Sequence, residues 1–209
     1  MSLKKEEIFI YVMYVVGVIG HLIDSTLPLM KTLTPFTLLL TGGVVLFFAQ
    51  KSSSGNLILW VVITYSITFL LEVIGVKTGL VFGNYSYGNT LGFKFIDVPL
   101  IIGFNWVLVV LGAIKISKRF FSDYFFIALF TGIFSVVFDF FLEPIAIKLD
   151  YWNWEGIKVP LQNYFAWFVI AFLFSILFQK MKLETNSTLV EKYFLTQLTF
   201  FIILFLFMR

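Results

Sequence analysis

Long apolar runs broken by short polar stretches cover the chain from end to end. With Pro, Gly and charge clusters as boundaries, they predict helices over about Glu7–Ile23, Pro35–Ala49, Asn56–Ile74, Pro99–Ile116, Ser122–Leu142, Pro160–Lys180 and Thr188–Met208. The second run is short for a bilayer and the third merges into polar sequence, so six or eight helices also fit the pattern. No small-residue cleavage site follows the first run, which reads as a retained helix and not a signal peptide. The expected fold class is all-α: a polytopic transmembrane bundle of about seven helices, forming one integral membrane domain over 1–209.

Composition agrees with a bilayer. The chain is 60% hydrophobic and 13% charged and carries 28 Phe, which is outside the range of soluble domains. If seven helices alternate in direction, the N-terminal side collects Lys4, Lys5, Lys51, Lys115, Lys118, Arg119, Lys180, Lys182 and Lys192. The opposite side holds Lys31, Lys77, Lys94, Lys148, Lys158 and Arg209. That bias places a multi-pass protein in the cell membrane with its N-terminus in the cytoplasm. The net charge of +3 is spread over the loops in ones and twos, without the basic stripe that a phosphate backbone requires, so nucleic acid is excluded as a partner. With no cysteine, disulfides, thiolate catalysis and cysteine-ligated metals are excluded together.

Against this background the polar exceptions stand out. Glu72 sits near the end of the third run, Asp139 and Glu143 near the end of the fifth, and His21 and Asp24 at the end of the first. An ionisable group in hydrocarbon is costly, so each is a candidate functional residue. Under alternating topology the first, third and fifth helices end on the same membrane side. His21 and Asp24 are three residues apart and Asp139 and Glu143 four, spacings that put each pair on one helix face.

A repeat links two of these helix ends. Val98-Pro99-Leu100-Ile101-Ile102-Gly103-Phe104-Asn105-Trp106 recurs 61 residues later as Val159-Pro160-Leu161-Gln162-Asn163-Tyr164-Phe165-Ala166-Trp167. The chain has only five Pro and five Trp, and two of each fall in register. Each copy is preceded by an apolar helix with a carboxylate near its end and then an aromatic loop: Tyr85 and Tyr87 in the first, Tyr151, Trp152 and Trp154 in the second. The expected unit is a helical hairpin used twice, over about 56–116 and 122–180. The glycine-rich, aromatic segment 75–92 reads as a lid, because irregular backbone at membrane depth must be covered by protein or face water.

Several of these motifs together resemble a known family. Glu72-Val73-Ile74-Gly75-Val76-Lys77-Thr78-Gly79, Phe82-Gly83-Asn84-Tyr85-Ser86-Tyr87, Leu91-Gly92 and Val98-Pro99-Leu100 with Trp106 are similar to the carotenoid 1,2-hydratases, a membrane family often described simply as carotenoid biosynthesis proteins. It includes the gamma-carotene and bisanhydrobacterioruberin hydratases. Asp139 with Glu143-Pro144, Tyr151-Trp152-Asn153-Trp154, and Val159-Pro160 with Asn163 and Trp167 extend the resemblance, which covers roughly residues 60 to 170. It implies addition of water across the terminal C1–C2 double bond of an acyclic carotene end, giving a tertiary alcohol. The partners implied are a lipophilic carotenoid, the bilayer, water as co-substrate and other enzymes of the carotenoid pathway. The resemblance assigns no catalytic residue.

Roles follow from the chemistry. Hydrating such an alkene needs an acid that protonates C2 and leaves a tertiary cation at C1 for water to capture; no metal, nucleotide or redox cofactor is required. Desolvation favours the protonated form of a carboxyl, and two carboxyls close together divide into one acid and one base. Glu72, Asp139 and Glu143 are the candidate catalytic groups, with Asp139 and Glu143 as the paired acid and base. Aromatic faces stabilise a cation without reacting, which makes Tyr85, Tyr87, Trp106, Trp152, Trp154 and Trp167 candidate substrate contacts, with Asn163 as an orienting amide and His21 and Asp24 beside them. His21 is the only histidine, which excludes a multi-histidine metal site.

Simpler readings exist for the same residues. Glu143 precedes Pro144 and so could end its helix in interfacial water, and the Tyr/Trp cluster could be an interfacial belt. A carotene end cyclase would share the protonation step, and a proton-coupled carrier would also place carboxylates beside a repeat.

Overall fold

The computed structural model describes residues 3–156 and 158–208; Arg209, counted in the charge tally, lies outside them. Among the described residues seven helices form the bundle: α1 (Lys5–Leu22), α2 (Leu27–Lys51), α3 (Leu57–Thr78), α4 (Leu100–Phe120), α5 (Tyr124–Lys148), α6 (Leu161–Lys180) and α7 (Leu189–Phe207). All but α1 are long and apolar enough to cross a membrane; α1 carries Lys5, Glu6 and Glu7 in its first turn. The chain is thus an all-α, multi-pass membrane protein with very little sheet. Its lipid-facing positions are apolar, for example Phe36, Leu39, Phe47, Leu70 and Phe165.

Among the boundaries that differ from the expected ones, three have a clear local reason. The second helix begins at Leu27 and not at Pro35, because Pro28 occupies the first helical turn, where a missing N–H costs nothing. Pro35 then lies inside the helix. The third continues past Ile74 to Thr78 and ends on Gly79, whose φ of 68° gives the left-handed cap and whose N–H donates to the Gly75 carbonyl. The fifth runs through Pro144 to Lys148, since a neighbouring bundle can support a helix across a proline. Glu143 is consequently inside the helix, in its last turns, and buried at 1% exposed rather than in interfacial water.

Helix α4 is the hub of the packing, with buried residues on every side. Its close crossings with α7 and α2 depend on glycine. A Cβ on Gly112 would stand 2.5 Å from the Cβ of Phe194 on α7, and one on Gly42 of α2 would meet Leu108 and Phe104 of α4. Trp60 donates from Nε1 to the Phe174 carbonyl at 3.1 Å, tying α3 to α6.

Two short ladders complete the fold. β1 (Tyr85–Tyr87) pairs antiparallel with β4 (Trp152–Trp154), and β2 (Lys94–Phe95) with β3 (Val98–Pro99). Because β1 follows α3 and β4 follows α5, their pairing brings the C-terminal ends of those helices to one side of the bundle. On the side of the α1 N-terminus the ion pairs join helix ends and loops: Lys192 with Glu7 at 2.7 Å, Arg119 with Glu191 and Lys118 with Glu184.

Candidate functional site

Glu72 lies almost two turns before the end of α3 and is 5% exposed. Its Oε2 accepts from the hydroxyls of Tyr85 at 2.5 Å and Tyr87 at 2.7 Å, and its Oε1 accepts from Nε1 of Trp106 at 2.8 Å. Tyr85 and Tyr87 alternate along β1 with Ser86 between them, so the period of two puts both hydroxyls on one side of the strand. Burial, followed by the charge on Glu72, pushes both phenols above their ordinary range and keeps them as donors.

Glu143 has a matching environment. Its Oε2 accepts from Nε1 of Trp152 at 3.0 Å and of Trp154 at 2.8 Å, and its Oε1 from Nδ2 of Asn163 at 3.1 Å. The same Asn163 nitrogen donates to Oδ2 of Asp139 at 2.6 Å, joining the two carboxylates of α5 through one amide from α6. Asp139 is fully buried, and its Oδ1 has no partner among the described residues. Leaving a buried acceptor bare costs about 1–3 kcal/mol.

The register of the ladder ties the two environments together: Tyr85 faces Trp154, Ser86 faces Asn153 and Tyr87 faces Trp152. Below it Trp106 and Trp167, equivalent positions of the sequence repeat, stack with centroids 3.8 Å apart and planes 23° off parallel. Glu72, Glu143, Asn163, Trp106, Trp167 and both pairs of ladder aromatics line one cavity of about 30 Å³, room for about one water molecule. Asp139 does not line it and lies behind Glu143 and Asn163.

The segment expected to be a lid covers this cavity and is strapped to the loop after α5. Gly88 N–H donates to the Tyr151 carbonyl, Asn89 N–H to Asp150, Thr90 Oγ1 to the Leu149 carbonyl, and Glu155 N–H to the Asn84 carbonyl. Gln162 at the start of α6 donates to the Leu80 carbonyl at 2.6 Å.

His21 and Asp24 part company. The helix carrying His21 ends at Leu22, so the two do not share a face; Asp24 is exposed in the following turn and takes no part in the cluster. His21 is buried and lines a second, apolar cavity of about 130 Å³ between α1, α2, α4, α5 and α7. Ile102, Asn105, Leu142 and Trp152 border both cavities, so the second adjoins the carboxylate cavity across these four side chains.

Sequence reasoning missed Phe82, Asn105 and Gln197. Phe82 lines the carboxylate cavity and packs on Tyr85 and Trp106, but one Phe among many carries no signal. Asn105 was visible as a polar residue inside an apolar run. So was Gln197, which is 1% exposed in α7 and borders the larger cavity.

A family described as carotenoid biosynthesis protein matches residues 33–209. No curated protein and no solved structure matches the chain.

Proposed function

For a chain that belongs to the carotenoid biosynthesis protein family, we propose hydration of an acyclic carotene end: proton transfer to C2 of the terminal double bond, then capture of the C1 cation by water. One observation carries this reading. Glu72 and Glu143, from helices that are distant in sequence, face a single small cavity walled by indole and phenol rings.

Asp139 and Glu143, bridged by the one Asn163 amide, hold one proton between them, because two buried like charges do not both ionise, and Glu143, which borders the cavity, is the member that delivers it. Glu72 also accepts three hydrogen bonds but, among the described residues, has no second carboxyl bridged to it as Glu143 has, so it is the ionised carboxylate and supplies negative charge toward the cation. The stacked Trp106 and Trp167 faces add cation–π attraction. Net addition restores the acid, because the proton released by the captured water returns to the carboxylate pair.

The two matched carboxylate environments also support the reading of α3–α4 and α5–α6 as one hairpin used twice. The cluster lies at one end of the bundle beneath two strapped loops, which favours an enzyme over a carrier needing access from both faces.

Expression in cells that make lycopene or gamma-carotene tests the activity. The expected product carries the mass of one added water. Protein in the membrane with no hydroxylated carotenoid overturns the proposal, and a ring-closed product instead identifies a cyclase.

A further inference from the structure

The apolar cavity beside the carboxylates contains two polar atoms that the mechanism has not used. Nε2 of His21 and Oε1 of Gln197 are buried, and neither is hydrogen-bonded to any described group. Both residues line this cavity, from α1 and α7 respectively.

Their chemistry is specified by what their other atoms do. Nδ1 of His21 stands 2.7 Å from the Gly17 carbonyl, which can only accept, so Nδ1 carries the ring proton and Nε2 of the neutral imidazole presents a lone pair. Oε1 of Gln197 is an acceptor as well. Two acceptors without a donor partner, in a mostly apolar lining that also includes Thr34, Thr37, Asn105 and Tyr151, fit an O–H group. A ketone or carboxylate would meet acceptor with acceptor, and a bare hydrocarbon would leave both unsatisfied.

Size and access are consistent with an isoprenoid end arriving beside that O–H. A cavity of roughly 150 Å³ holds a benzene ring, and this one, at about 130 Å³, has room for a five-carbon terminal unit. Its lining includes Val16 and Leu33, which are half exposed on the lipid face of α1 and α2, so it reaches the bilayer laterally. A wide groove between α2 and α4 shares Leu91 and Ile101 with it and gives the polyene a continuous apolar path.

We propose that the carotene end enters through this cavity and brings its terminal double bond to the border with the carboxylate cavity at Asn105, Leu142 and Trp152, and that His21 and Gln197 hold the water that captures the cation. The assignment rests on the hydratase reading and adds the place and the base for the second substrate. At that border Glu143 gives a proton to C2, breaking the C1–C2 π bond and leaving a cation at C1. The water held by the α1 and α7 residues directs its free lone pair at C1, the C–O bond forms, and one water proton passes to Nε2 of His21. Glu143 is then ionised and His21 an imidazolium; transfer of that proton back through water restores both. The product's tertiary hydroxyl still donates to Gln197.

The test separates protonation from capture. Membranes containing the full chain are supplied with an acyclic-end carotene in D2O buffer, and both alcohol formation and deuterium in the recovered carotene are measured. With His21→Leu or Gln197→Leu, protein in the membrane stays at the wild-type level and the alcohol falls at least tenfold. Deuterium still enters the recovered carotene, because an uncaptured cation returns to alkene by losing a proton. Should His21→Leu not accumulate, Gln197→Leu carries the same comparison. Alcohol at the wild-type level in both variants overturns the proposal, as does a parallel loss of alcohol and deuterium exchange. If the wild type gives neither alcohol nor exchange, the hydratase reading fails first and takes this assignment with it.

Discussion

Tyr85 and Trp154 face each other across the β1–β4 ladder, and each donates to a carboxylate near the end of its own preceding helix. Tyr87 and Trp152 repeat the relationship one step along. Two loops, neither stable alone as a two-stranded unit, are therefore fixed by the acidic groups they cover. The ladder, the carboxylates and the cavity form one construction.

Replacing Glu143 by Gln keeps its size and its contact with the α6 amide side but removes the transferable proton. Hydrated carotenoid should fall by about 100-fold or more, the ordinary contribution of general acid catalysis, with protein in the membrane unchanged. Product analysis by mass in carotene-producing cells checks this, and full activity in both Glu143→Gln and Asp139→Asn would remove the acid role of the pair.

Trp106 combines two functions that substitution can separate. Trp106→Phe keeps an aromatic face against Trp167 but loses the Nε1 donor to Glu72, whereas Trp167→Leu removes the second face and leaves that hydrogen bond in place. A cation–π contact in a desolvated site contributes about 2 kcal/mol, so Trp167→Leu should slow hydration by roughly 10-fold or more. Initial rates in membranes measure it, and an unchanged rate rules out a cation-stabilising role for that ring.

The two phenols should behave cooperatively. Tyr85→Phe and Tyr87→Phe each remove one donor from the same Oε2 of Glu72, at a cost of about 1–3 kcal/mol for a bond to a charged group. Since they share one acceptor, the double variant should depart from the sum of the singles by about 0.5 kcal/mol or more. Thermal unfolding of the purified protein in detergent provides the comparison.

Adjacent glycines in α2 should respond in opposite ways. A Cβ on Gly42 meets Leu108 and Phe104, while Gly43 has nothing within 4 Å of that position. Gly42→Ala should destabilise the bundle by about 1–3 kcal/mol through overpacking, and Gly43→Ala should stabilise it by about 0.5–1 kcal/mol through helix propensity. The same unfolding assay checks both signs.

Apolar run length alone determined the all-α membrane bundle, because hydrocarbon leaves a spanning backbone almost no choice but the helix. The anomaly of ionisable groups in that setting singled out Glu72, Asp139 and Glu143, and the Pro and Trp matches singled out the loops that cover them. Local rules failed where neighbours intervened. Pro144 was read as a helix end, yet helical backbone continues through it and buries Glu143, and Asp24 was placed on the face of His21 although α1 stops between them. Only the tertiary structure decided that both carboxylate environments meet at one water-sized cavity, that Asp139 stands behind it, and that His21 and Gln197 border the apolar space beside it. The physical reason is that periodicity places a side chain on a helix face, whereas its partners depend on how helices distant in sequence cross.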